Sequence, residues 1–85
     1  MPLQISPPAD ETLAQLREAI AAAVPSAEIQ VSGGGGHFEI RVVSAVFEGK
    51  RALAKQRLVY DAIAHLMTGE NAPVHAVDRL VTETP

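Results

Sequence analysis

The chain has 85 residues, 47% of them hydrophobic and 20% charged, which suits one small globular domain and argues against disorder. Ten acidic residues outnumber seven Lys and Arg, so the formal net charge of -3 provides no global positive field to hold a polyanion. Aromatics are only 4%, which argues against a base-stacking platform, and the absence of cysteine excludes disulfides, thiolate nucleophiles and all-cysteine metal sites.

Residues 1–8 hold three prolines and read as a flexible lead-in, with a single domain over residues 9–85. Asp10 and Glu11 suit the positive end of a helix dipole. Leu13, Leu16, Ile20, Ala23 and Val24 follow at spacings of three and four, which predicts an amphipathic helix that Pro25 ends. Glu28–Ser32 alternates, with Ile29 and Val31 on one side. Gly33–Gly36 is an uninterrupted glycine run. His37–Val43 alternates again, with Phe38, Ile40 and Val42 facing one way and His37, Glu39 and Arg41 the other. Two alternating segments joined by glycines predict an antiparallel hairpin.

Ser44–Lys50 reads as a connector with a short helical turn. Helical spacing returns over Arg51–Met67, with Leu53, Leu58, Val59, Ile63, Leu66 and Met67 near one stripe. Gly69, Asn71 and Pro73 break the chain before a third extended segment, Val74–Thr82. Neither face of that segment is cleanly apolar, which predicts a bulge or an edge position. The expected fold is α+β in α-β-β-α-α-β order, a three-stranded mixed sheet with helices on one face. The last helix crosses between parallel strands.

Three features carry chemistry. The glycine run lacks the following helix that a phosphate cradle requires, so it reads as a hairpin loop. Its G-x-x-G string joins strands rather than helices, and the inter-helix connector Phe47-Glu48-Gly49-Lys50 has one glycine, so RNA clamping is poorly supported. Lys50, Arg51, Lys55 and Arg57 gather four of the seven bases, a patch suited to DNA phosphate or to an acidic partner protein. His37, His65 and His75 are dispersed, with no H-x-x-x-H spacing, and from spacing alone each reads as structural. No nucleophile elbow, P-loop or paired-carboxylate motif appears, so an enzyme is not expected, nor a small-molecule substrate. No run of 18 apolar residues appears and the first nine residues lack signal-peptide features. A cytoplasmic protein without membrane contact, monomeric when alone, is the expectation.

Five strings in register, His37-Phe38-Glu39-Ile40, Val42-Val43-Ser44, Phe47-Glu48-Gly49-Lys50, Arg57-Leu58-Val59-Tyr60 and Pro73-Val74-His75-Ala76, resemble the BolA family. With the preceding helix and strand they cover most of the chain, and the short glycine loop is similar to that of the compact bacterial branch. The resemblance implies a fold like class II KH domains and a monothiol glutaredoxin as partner. It implies a 2Fe-2S cluster shared between the two proteins, in iron-sulfur trafficking or iron sensing. Glutaredoxin and glutathione supply thiolates, and the histidine of the Pro-Val-His-Ala string, here His75, supplies a ligand. The family's second ligand, Cys or His, falls in the first hairpin loop near Gly34, where this chain has none; His37 at the end of that loop is the candidate substitute. Gln56 stands where the family usually has histidine. The resemblance also implies an alternative role in DNA binding and transcriptional control of stress response or cell morphology, through Lys50, Arg51, Lys55 and Arg57.

Overall fold

The computed structural model describes residues 9–85; the expected lead-in lies outside the described residues. Helix α1 spans Ala9–Ala23, strand β1 Glu28–Gly34, strand β2 His37–Val43, a 3-10 turn Ala45–Phe47, helix α2 Ala52–Met67 and strand β3 Ala76–Glu83. The first of the two helices expected after β2 is therefore a single turn of three residues. The sheet order is β1-β2-β3, with β1 antiparallel and β3 parallel to the central strand. The mixed sheet and the alternation of apolar residues on β2 agree with the expected α+β architecture.

Burial follows periodicity on the central elements. Leu16, Ile20 and Val24 from α1 meet Phe38, Ile40 and Val42 from β2, and Val59, Ile63 and Leu66 from α2. Phe47 and Val74, from the connectors, complete the core. Two residues of the expected stripes do not join it. Ala23, the last residue of α1, is exposed, and Leu53 is 59% exposed. Leu53 lies six positions before Val59, which at about 100° per residue turns it roughly 120° away from the buried stripe.

The glycine run is not a four-residue loop. Gly33 and Gly34 pair in the ladder with Phe38 and His37, leaving Gly35 and Gly36 as the turn. Their φ values of +62° and +86° are those of a two-residue hairpin turn of type I′, which only glycine and a few polar residues adopt readily.

The third strand begins at Ala76 rather than Val74, because the Val74 amide donates to the Leu66 carbonyl (3.1 Å) and is held to the end of α2. β3 is both an edge strand and bulged. The register shifts between Phe38 and Glu39, so Val77 stands opposite Phe38 while Leu80 stands opposite Ile40, with Asp78 as the extra residue. The bulge places Val77 and Leu80, three apart, against the same core, which explains the imperfect alternation.

Ser44 ties the far end of the sheet together. It is 1% exposed. Its amide donates to the Glu83 carbonyl (2.9 Å), and its hydroxyl donates to the Pro25 carbonyl (2.9 Å) while accepting from the Val46 amide (3.2 Å). That last bond caps the 3-10 turn.

Candidate functional site

Parallel pairing fixes where the histidines fall. β2 runs from His37 to Val43, α2 returns the chain, and β3 restarts beside His37, in register Ala76 to His37. The start of β3 therefore meets the turn that precedes β2. The Gly36 carbonyl accepts from the amides of both His75 (2.8 Å) and Ala76 (3.0 Å). With the buried Val74 anchored to α2 on one side and this double hydrogen bond on the other, the backbone of His75 has little freedom.

The His75 side chain is exposed and lies against the turn. A Cβ on Gly36 would come within 2.8 Å of its Cγ and Nδ1, so a side chain there would push the imidazole from this position. Gly33 is the more tightly constrained, because a Cβ there would collide with backbone, the His37 carbonyl oxygen, and its φ is +123°. Gly33 is thus required by close approach of the backbone, and at Gly36 the hairpin turn serves as the seat of an exposed imidazole.

His37 stands on the sheet face away from the helices. Its Nδ1 lies 3.1 Å from an Asp78 carboxylate oxygen, with the two side chains 60% and 54% exposed. A carboxylate on Nδ1 orients the ring and leaves Nε2 outward, an arrangement common behind metal-binding histidines. Asp78 is the bulge residue; sequence reading identified the irregular strand but gave no sign that its extra residue would face His37. Farther along the same face Arg41 and Glu83 form an ion pair at 2.6 Å.

As a metal site these donors are incomplete. Among the described residues no group of three or more His, Cys, Asp or Glu is placed to hold a metal ion. Gly34, at the position of the absent loop ligand, is a ladder residue paired with His37. The donor set on this end is one or two imidazoles beside a glycine seat. That chemistry fits part of an iron-sulfur cluster whose remaining ligands come from another molecule, and does not fit a cluster held by this chain alone.

The basic stretch is divided by the structure. Lys50, Arg51 and Arg57 line a groove of about 460 Å³ together with Leu53, Ala54, Leu58 and Asp61. Lys55 is half-buried and does not line it. Arg51 is the N-cap residue of α2 but makes no side-chain cap hydrogen bond, and the first turn carries no acid. Because α2 runs antiparallel to the strands it connects, this groove sits at the end of the domain away from His75. The involvement of Leu53 was not legible in the sequence, where it reads as a core residue.

No helix among the described residues is long and apolar enough to cross a membrane.

Comparison with known proteins bears on this geometry. A family model described as BolA-like protein matches residues 14–85. An Acinetobacter guillouiae protein known as the uncharacterized protein in the rpoN-murA intergenic region is 45% identical over 64 residues, covering 74% of each chain. The structure of a BolA protein homologue from Coxiella burnetii is similar with a TM-score of 0.68 and 34% identity, covering 82% of this chain and 86% of the other. BolA1 from Arabidopsis thaliana shares the fold at a TM-score of 0.72 and 24% identity, over 86% of this chain and 90% of that one.

Proposed function

Taking as premise that the chain belongs to the BolA-like protein family, we propose that it is a non-enzymatic adaptor that docks a monothiol glutaredoxin and contributes His75 to a shared 2Fe-2S cluster. The observation that carries this reading is the seat of His75: an exposed imidazole whose backbone is fixed by the Gly36 carbonyl and whose ring rests where a side chain on Gly36 would displace it. A fixed backbone is what a ligand needs when it is offered across an interface, since less of the ordering cost then falls on binding.

His75 is the ligand from this chain, and His37, oriented by Asp78, is the secondary candidate. The thiolates come from the glutaredoxin cysteine and glutathione. An imidazole in place of a thiolate makes the cluster less negative and alters its potential and lability, as suits a cluster that is passed on. Docking and ligation are separable, because the hairpin at Gly34 brings no donor of its own. The family's second reading, DNA binding through Lys50, Arg51, Lys55 and Arg57, gains little from a groove that excludes Lys55 and is lined mainly by apolar atoms.

The test mixes the purified protein with cluster-loaded monothiol glutaredoxin and records elution volume and visible circular dichroism. A heterodimer with an altered cluster spectrum is expected. A heterodimer with an unaltered spectrum refutes ligation but keeps docking, and no complex refutes both.

A further inference from the structure

The end of α2 away from His75 carries a second surface that the cluster reading does not use. Val46, Leu53 and Tyr60 are large hydrophobics at 37%, 59% and 38% exposure. Leu53 and Tyr60 are seven residues apart on α2 and so share one face about 10 Å long, with Arg57 between them. The groove beside this stripe has mainly apolar walls, with Lys50, Arg51 and Arg57 at its rim and one opposing acid, Asp61. It opens at the N-terminal end of the helix, where Lys50 and Arg51 stand at the positive end of the dipole, the first turn of the helix carries no acid and Glu48 is the acid nearest to them in sequence. For an isolated chain that arrangement is unfavourable, and it is the reverse of α1, whose first turn holds Asp10 and Glu11. The charge is local: the chain as a whole is at -3.

We propose that this groove, with the stripe Leu53, Arg57 and Tyr60, is a docking site for an acidic amphipathic helix of a partner protein. Leu53 and Tyr60, one heptad apart, form an exposed apolar stripe against which a second helix can pack, the groove lined by Leu53, Ala54 and Leu58 can take apolar side chains of that helix, and Arg57 and Tyr60 are residue types enriched where proteins meet. The basic rim selects acidic residues on the incoming helix and repels basic ones. Nucleic acid fits less well. A phosphate backbone has no use for an exposed Leu53, Asp61 repels it, and Lys55 faces elsewhere. The surface is separate from the seat of His75, so the chain has two places at which proteins can meet it.

The test uses the full chain alone, without glutaredoxin or cluster, so its failure leaves the His75 reading untouched. A fluorescent synthetic helix of about five turns, with Leu at spacings of three and four and Glu on the opposite face, is titrated by anisotropy, and amide shifts are mapped by NMR. A short labelled DNA duplex is titrated in parallel. Saturable peptide binding is expected, with shifts confined to residues 50–61. Leu53→Ser, a change at an exposed position, should keep the fold and weaken the peptide about tenfold. Arg57→Glu should weaken it at least as much. No saturable binding overturns the proposal, as do shifts centred elsewhere. Duplex binding that is steeply salt-dependent, insensitive to Leu53→Ser and stronger than peptide binding overturns it in favour of nucleic acid.

Discussion

The two ends of α2 present side chains by opposite means. At the His75 end, position is set by backbone. The Gly36 carbonyl receives two amides, Val74 is held to Leu66, and two glycines make room for what lies against them. At the Leu53 end, the backbone is held by a buried phenylalanine and a capping serine, while Leu53 and Arg57 are exposed. The first arrangement suits a ligand that must not move, and the second suits a surface that adapts to a helix.

That contrast predicts a graded set of effects. Phe47→Ala should be the most damaging, because the ring is fully buried and anchors the connector leading to the groove. A loss of about 3–5 kcal/mol is expected by urea unfolding. Gly36→Ala comes next, at about 1–3 kcal/mol for a non-glycine at positive φ, and it should also displace His75. If the variant binds glutaredoxin but its cluster spectrum reverts, seat and ligand are linked; an unchanged spectrum separates them. Ser44→Ala removes the hydroxyl that bridges Pro25 and Val46, with an expected cost of about 1–2 kcal/mol and no effect on the His75 end. The Arg41–Glu83 pair is half exposed on both sides, so Arg41→Ala should cost about 1 kcal/mol or less. Leu53→Ser should lie within about 0.5 kcal/mol of the parent in thermal or urea melts, since the residue contributes nothing to the core. A larger loss would mean that Leu53 is structural and would weaken its role as an anchor.

Much of this molecule is readable from residue order. The stripes of α1 and α2, the hairpin and the irregular third strand follow from spacing, because burial against one sheet face enforces the periods. What escaped were features made by tertiary contact. The exact turn depends on Gly33 and Gly34 continuing the ladder, which composition alone renders as loop. Leu53 looks like core because it is apolar and sits in an apolar-rich helix, but at about 100° per residue it is turned away from the Val59 stripe and stays exposed. The Asp78 contact to His37 needs the register of β3 on β2, and a one-residue bulge decides it. Likewise, the adjacency of Gly36 and His75, some forty positions apart, is set by the parallel crossover. The resemblance to the BolA family points to His75, and the structure shows that its backbone is held by the Gly36 carbonyl and its side chain is exposed.

The most direct measurement is pulsed electron paramagnetic resonance on the reduced cluster bridged to glutaredoxin, comparing the parent chain with His75→Ala. A nitrogen coupling of a size expected for a coordinated imidazole, present in the parent and lost in the variant while the heterodimer persists, is the predicted result. A parent cluster with no such coupling, or one that His75→Ala leaves unchanged, would contradict the assignment of His75.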